Sequence, residues 1–321
     1  MANSNINTAW KNDLYPLIDK TFDYKYGNYM SALAQIISEE TDMDVDYRME
    51  GLGGYGELAS YDGSSLVGMN QKRGFIKIIT PIEKAGSIDI QRLYARIDKS
   101  GEAKKAGTRA AYSASMTVYM NILRMFGHAF DATTPYLGGD GKAWAATDHP
   151  VASKADAGGV SVVDADSGTF SNLITSTLSV PAITTAQTLA NRFVTPDGLP
   201  FLSDFNTLLV SPELEPKAKE LCGINGKLIP EKLQESAENG ANPIYGMKYI
   251  VVGGGADGFS AKQWAVCDRL LIKEIAKVVY IEKPQVLRTD LDNPLIARIV
   301  PYVVFGTGFG DARPIIFSNP A

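Results

Sequence analysis

Residues 50–82 read EGLGGYGELASYDGSSLVGMNQKRGFIKIITPI. Glycine recurs at Gly51, Gly53, Gly54, Gly56, Gly63, Gly68 and Gly74, and Asp62-Gly63 is a turn signal. Phe75 to Thr80 (FIKIIT) predicts a strand that Pro81 ends. Near the tip there are few large apolar side chains, too few to offset the entropy of ordering a core. The segment therefore reads as a long hairpin that needs another surface to lie on, and it decides how the rest of the chain is read.

Upstream, Tyr29 to Ile37 (YMSALAQII) predicts a short amphipathic helix, followed by the acid run Glu39, Glu40, Asp42, Asp44 and Asp46. The run is read as a solvated face, or as an arm lying across a neighbouring subunit. Lys72, Arg73 and Lys77 form a basic cluster beside the hairpin, and the acid run of another subunit is a candidate partner for it. Exposed ion pairs are each worth about 0–1 kcal/mol, so such contacts guide register more than they supply affinity.

Downstream, residues 101–129 predict the longest helix. Ala103, Ala106, Ala110, Ala114, Val118, Ile122 and Phe126 recur at three- and four-residue spacing. A helix of that length spans roughly 40 Å. Gly107 reads as a weak point and Gly127 as a stop. A polar loop follows over 133–167. Helices are then expected over Thr184–Arg192 and Glu213–Leu221, and strands over Asn206–Val210, Tyr245–Val252, Trp264–Cys267 and Val278–Ile281. Leu295 to Phe305, a glycine turn, and Pro314 to Phe317 are expected to close a β hairpin. The fold class is mixed α+β.

Composition narrows the function. The 321 residues carry 36 acids against 31 bases, a net charge of −5, which disfavours a sequence-specific nucleic-acid reader. Cys222 and Cys267 are too few for a disulfide scaffold or a Cys-rich zinc site and read as buried small residues; His128 and His149 leave little for histidine-based metal chemistry. The polar N-terminus shows no signal peptide. The most apolar stretch, Asn293 to Gly310, carries Arg298 and Pro301 and is a poor membrane span. A reducing cytoplasm is the expected site of folding.

The chemical motifs are weak. Gly253 to Gly258 matches GxGxxG, but an apolar strand resumes at Trp264, leaving no room for the helix a dinucleotide loop must open. It reads as a connection between strands. Gly139-Asp140-Gly141-Lys142 lacks the hydroxyl residue a P-loop needs. Asp148-His149 is read as part of a turn, because adjacent residues seldom orient one another as a dyad. No catalytic, cofactor or metal residue is assigned.

In order and spacing, these elements resemble the major capsid proteins of tailed phages with the Hong Kong 97 fold, and more closely the Mu-like major head subunits. The resemblance is carried by Ile79-Thr80-Pro81-Ile82-Glu83, Thr147-Asp148-His149-Pro150, Gly158-Gly159, Ser171-Asn172-Leu173, Leu178-Ser179, Asp197-Gly198-Leu199-Pro200, Leu208 to Leu214 and Gly310-Asp311-Ala312-Arg313. Trp144-Ala145-Ala146 departs from the family's Leu-Phe-Ser.

The resemblance implies an N-terminal arm (1–48) and an extended E-loop (49–85). It implies a P-domain (86–179) with its spine helix at 101–129, an A-domain (180–275), and C-terminal strands returning to the P-domain (276–321). It further implies a shell of hexamers and pentamers enclosing double-stranded DNA without sequence specificity, a portal partner, no cofactor and no membrane. The expected location is a phage head, assembled in the bacterial host cytoplasm. Some relatives join an E-loop lysine to a distant asparagine; no acid stands beside Lys72 or Lys77 in the sequence, and no such link is expected. Because the arm starts almost at Met1, a separate scaffold or none is expected. The rival readings are an encapsulin-type compartment and, more remotely, a nucleotide-dependent enzyme.

Overall fold

The computed structural model describes residues 14–23, 32–42, 45–51, 53, 56–61, 63, 66, 68, 74–97, 102–154, 162–164, 167–223, 242–253, 255–289 and 295–321. In chain order the helices are α1 (residues 14–23), α2 (Arg92–Ile97), α3 (Glu102–Gly127), α4 (Val180–Ala190), α5 (Glu215–Cys222) and α6 (Arg269–Ile275). The first strands are β1 (Ser38–Thr41), β2 (Tyr47–Glu50), β3 (Ile76–Ile79), β4 (Ile82–Ala85) and β5 (Ile88–Gln91). Short two-residue strands follow: β6 (His149–Pro150), β7 (Ser153–Lys154), β8 (Val162–Val163), β9 (Thr169–Phe170) and β10 (Leu173–Ile174). The last are β11 (Thr207–Val210), β12 (Lys248–Val251), β13 (Trp264–Cys267), β14 (Ala276–Thr289), β15 (Ile296–Phe309) and β16 (Ile315–Ser318).

Two five-stranded sheets organise the body. One runs β1-β14-β15-β4, with β5 also paired to β15; the other runs β10-β16-β13-β11-β12. In the second sheet β11, β13 and β16 are buried at every residue, which is why they read as unbroken apolar runs. Alternate side chains serve two cores. Leu208, Val210, Trp264, Val266 and Ile316 pack with α4 and α5. Leu209, Ala265, Cys267, Ile315 and Phe317 pack with the C-terminal half of α3, Trp144, and the Tyr280 and Phe305 side of the first sheet.

The predicted spine helix is α3, 26 residues long. Its two halves pack differently. Ala106, Ala110, Ala111 and Ala114 bury against α1 residues Ile18 and Phe22 and the first sheet, while Val118, Ile122, Leu123, Met125 and Phe126 fill the larger core. Gly107 is no weak point but a crossing: a Cβ there would stand 2.8 Å from the Ile18 carbonyl oxygen. At Gly127 a Cβ would stand 2.4 Å from the Asp257 carbonyl oxygen, so this glycine lets the helix end press on the turn after β12.

Several local expectations are corrected. Ala32–Gln35 is a short 3₁₀ turn and not the amphipathic helix expected over 29–37, of which 29–31 lie outside the described residues. Helix α6 was not expected; Asp268 caps it by accepting from the Leu270 and Leu271 N–H groups at 2.9 and 3.2 Å. The expected C-terminal hairpin is not formed. Strand β15 runs straight through Gly306 and Gly308 and pairs with β14, whereas β16 crosses to the second sheet beside β13. The glycines serve another purpose: a Cβ at Gly306 or Gly308 would lie 2.6 or 2.7 Å from the Ile79 side chain, so their bareness makes a seat for β3.

A buried junction joins the two sheets. Asn172 Nδ2 donates to the carbonyls of Trp144, Ala312 and Ile315, and Arg313 donates to Asp311 at 2.7 Å and to the carbonyls of Val194 and Val151. Replacing Gly306 by valine is expected to cost about 1–3 kcal/mol of stability in chemical denaturation, through overpacking against Ile79. Adding Ile79→Ala in the same chain is expected to recover part of the loss.

Candidate functional site

The glycine-rich segment leaves and re-enters the body as one antiparallel ladder. Strand β2 pairs with β3, Tyr47 opposite Ile79 and Glu50 opposite Ile76, and the Gly51 N–H donates to Phe75 O at 2.8 Å. Gly74 closes against Gly51 so tightly that a Cβ would lie 2.5 Å from the Gly51 carbonyl carbon. Beyond this point the described side chains are bare: Leu58 is 80%, Tyr61 66% and Leu66 89% exposed. Nothing stands within 4 Å of a Cβ built on Gly63 or Gly68.

The root of this arm is anchored on two sides. Met49, Ile79 and Val279 form a small buried cluster, with Met49 lying over Gly310. On the other side, Lys77 Nζ donates to Leu137 O at 2.6 Å and Pro135 O at 3.3 Å, and Gly139 leaves room for the Ile76 backbone. Burial pushes the Lys77 ammonium below its ordinary range, and the Asp140 charge opposes this.

The acid run divides. Glu39 is exposed and Glu40 half-buried on β1, which pairs in parallel with the start of β14. Lys277 Nζ donates to Glu40 Oε1 at 2.5 Å, and the Tyr47 hydroxyl donates to Glu40 Oε2. The Asp42 N–H donates to Tyr280 O at 2.9 Å, and Asp46 accepts from the Thr80 hydroxyl at 2.7 Å. Asp44, Lys72 and Arg73 lie outside the described residues. Thus Glu40 and Lys77 find partners within their own chain. Lys277 was invisible to sequence reasoning because it stands 237 residues from Glu40, and nothing in the sequence marked Tyr47 or Thr80 as partners of the acids.

The remaining motifs resolve into structure. The GxGxxG stretch connects β12 to β13 through a 3₁₀ turn at Gly255–Asp257, with Arg124 of α3 paired to Asp257 at 3.3 Å. His128 Nδ1 lies 2.6 Å from Asp131, and its ring stacks on Tyr136. His149 is not in a turn: it opens β6, is buried, and meets Asp140, while Asp148 pairs with Lys142. Both cysteines are buried, and burial pushes the Cys222 thiol up to about 11 and Cys267 higher still.

No protein-family model matches the sequence, and no curated protein matches it. Solved structures do match. The capsid of cyanophage P-SCSP1u superposes with a TM-score of 0.52 at 11% identity, covering 91% of this chain and 88% of that one. The procapsid of bacteriophage JBD30 gives 0.50 at 14%, covering 98% and 76%, and the capsid of Ralstonia phage GP4 gives 0.51 at 12%, covering 89% and 87%. The fold is the Hong Kong 97 capsid fold. At such identities the kinship is one of fold, so the likeness to Mu-like subunits rests on the sequence motifs alone. Two of those motifs supply buried side chains, Asn172 and Arg313 at the junction, whereas Ile79 to Glu83 is the mostly exposed turn from β3 into β4, and Gly158-Gly159 lies outside the described residues.

The Glu40–Lys277 pair has a pH signature. Burial raises the Glu40 carboxyl, but the hydrogen bonds from Lys277 and Tyr47 outweigh it and hold the group below the ordinary carboxylate range. Its contribution is therefore complete above the ordinary glutamate range and fades as pH falls through the lowered value. Glu40→Gln is expected to cost up to about 1 kcal/mol near neutrality. The gap from the parent is expected to shrink on acidification, as read by denaturation across pH.

Proposed function

We propose that this chain is the major head subunit of a tailed double-stranded DNA phage, assembling in many copies into an icosahedral shell. The observation that carries the reading is the arm: apolar side chains at Leu58, Tyr61 and Leu66 stand bare on a body that has a capsid fold. A segment whose described side chains from Glu57 to Leu66 stand exposed gains stability by covering another subunit. Obligate interfaces of about 2,000–5,000 Å² supply a large gross gain at about 25 cal/mol per Å² of apolar area, most of it offset by ordering and docking.

In this reading residues 1–48 are the N-terminal arm, 49–85 the E-loop, 86–179 and 276–321 the P-domain with its returning strands, and 180–275 the A-domain. The partners are copies of the chain in hexamers and pentamers, a portal, and packaged DNA held without sequence readout, with or without the help of a scaffold. The location is the phage head, built in the host cytoplasm. Glu39, Asp42, Asp44 and Asp46 facing Lys72 and Arg73 of a neighbour are the proposed charge contacts. Glu40 and Lys77 contribute less, being engaged within their own chain.

Negative-stain microscopy of the purified chain is expected to show closed shells, or to show them once a scaffold is supplied, and particles from infected cells are expected to hold genome-length DNA. Shells loaded with an enzyme cargo instead would mark a compartment of the encapsulin type. Tight NAD binding lost on Gly255→Val would point to the nucleotide-dependent enzyme. A solitary molecule with residues 50–82 packed on its own body would sink the shell reading. Lys72→Glu with Arg73→Glu is expected to cut shell yield several-fold while leaving the subunit's melting temperature unchanged.

A further inference from the structure

The packing of α3 accounts for its buried face and leaves open what its solvent face is for. Residues 92–109, RLYARIDKSGEAKKAGTR, hold six bases against two acids, in a chain whose net charge is −5. Within α3 the balance is sharper: Lys104, Lys105, Arg109 and Arg124 stand against Glu102 alone. Ala106, Ala110 and Ala114 are buried, so the row beside them turns outward. Lys105, Arg109, Tyr112 and Ser113 are exposed there, at the three- and four-residue steps that put side chains on one face. Lys105 and Arg109 stand one turn apart, about 6 Å along the axis. Arg124 continues the row but is held by Asp257. Helix α2 packs against α3 and adds Arg92, half-buried. Helix α1, which crosses at Gly107, brings exposed Lys20 and Asp23, which cancel, and its Asp19 is paired with Arg288.

We propose that this stripe meets the phosphate backbone of double-stranded DNA, with Lys105 and Arg109 as the phosphate contacts. The proposal rests on the shell reading, in which a shell encloses that polyanion, and adds the surface on which the two meet. Lysine and arginine, with tyrosine and serine hydroxyls beside them, are side chains that bind phosphate oxygens without reading bases. A protein partner gains most from apolar anchors seated in pockets. Residues 105–113, KAGTRAAYS, hold no leucine, isoleucine or valine to serve as one, and their outward row is polar. Two phosphate contacts per subunit are weak alone. Repeated over many copies they add up, while the acidic remainder of the chain repels DNA elsewhere.

The test is binding of the purified full-length subunit to a fluorescently labelled short duplex, read by anisotropy across a salt series. Binding is expected to be alike for unrelated sequences and to weaken steeply with salt. Lys105→Gln with Arg109→Gln is expected to reduce the slope of log K against log salt by about 2 at an unchanged melting temperature. Lys105→Arg with Arg109→Lys, which keeps both charges, is expected to keep the slope. So is Lys217→Gln with Lys248→Gln, which removes exposed lysines from α5 and β12. No binding at low salt overturns the proposal, and so does a slope that the glutamine pair leaves unchanged. A peptide of residues 37–48 that displaces the duplex would give the stripe to a neighbour's acid run and overturn it as well. Each of these results leaves the shell reading standing as long as closed particles form. Failure of particles to form, with the salt slope and its loss as expected, removes the shell reading and keeps the DNA surface.

Discussion

A glycine-rich segment whose described side chains lie bare to solvent must be held where it leaves the body, and the rest of this structure is arranged around that hold. The ladder of β2 and β3 is two strands wide, too little for independent stability in water. Its support comes from outside: Ile79 and Met49 sit on the bare backbone of Gly306, Gly308 and Gly310, and Lys77 reaches two carbonyls of the loop after α3. The long pair β14–β15 is thus both the centre of the first sheet and the bed on which the arm root rests.

The same logic explains the division of α3. Alanines along its first half let α1 and the first sheet approach closely, and large side chains along its second half fill the space between the two sheets. One rigid element therefore spans both packing regimes. The buried amide of Asn172 and the guanidinium of Arg313 complete the joint. Each satisfies carbonyls from segments distant in sequence, groups that would be costly to leave unpaired in the interior.

What was legible in the sequence was local. The three- and four-residue recurrence from Ala103 to Phe126 gave α3 to within a few residues, and short apolar runs gave β11 and β13. The fold itself came from a resemblance spread over many weak motifs in a shared order. What failed was non-local. Gly306 to Gly310 looked like a turn because glycine usually marks one; that they accommodate side chains from Met49 and Ile79 depends on contacts far away in the sequence. The seven-residue α6, flanked by apolar strands, is too short for periodicity to declare itself. At the candidate site the charges at 39–46 and 72–77 were visible, but the links from Glu40 to Lys277 and from Lys77 to the loop carbonyls were not. The Asp-His pair was noticed, yet the carboxylate that meets His149 is nine residues upstream.

The burial of both native thiols has a practical corollary. Cys222 and Cys267 are shut away from solvent and disinclined to ionise, so maleimide dyes and spin labels have little to attack on the native body. A single cysteine introduced at Leu58 or Leu66 would therefore report selectively from these exposed positions, and its fluorescence or mobility would register any surface that comes to cover them.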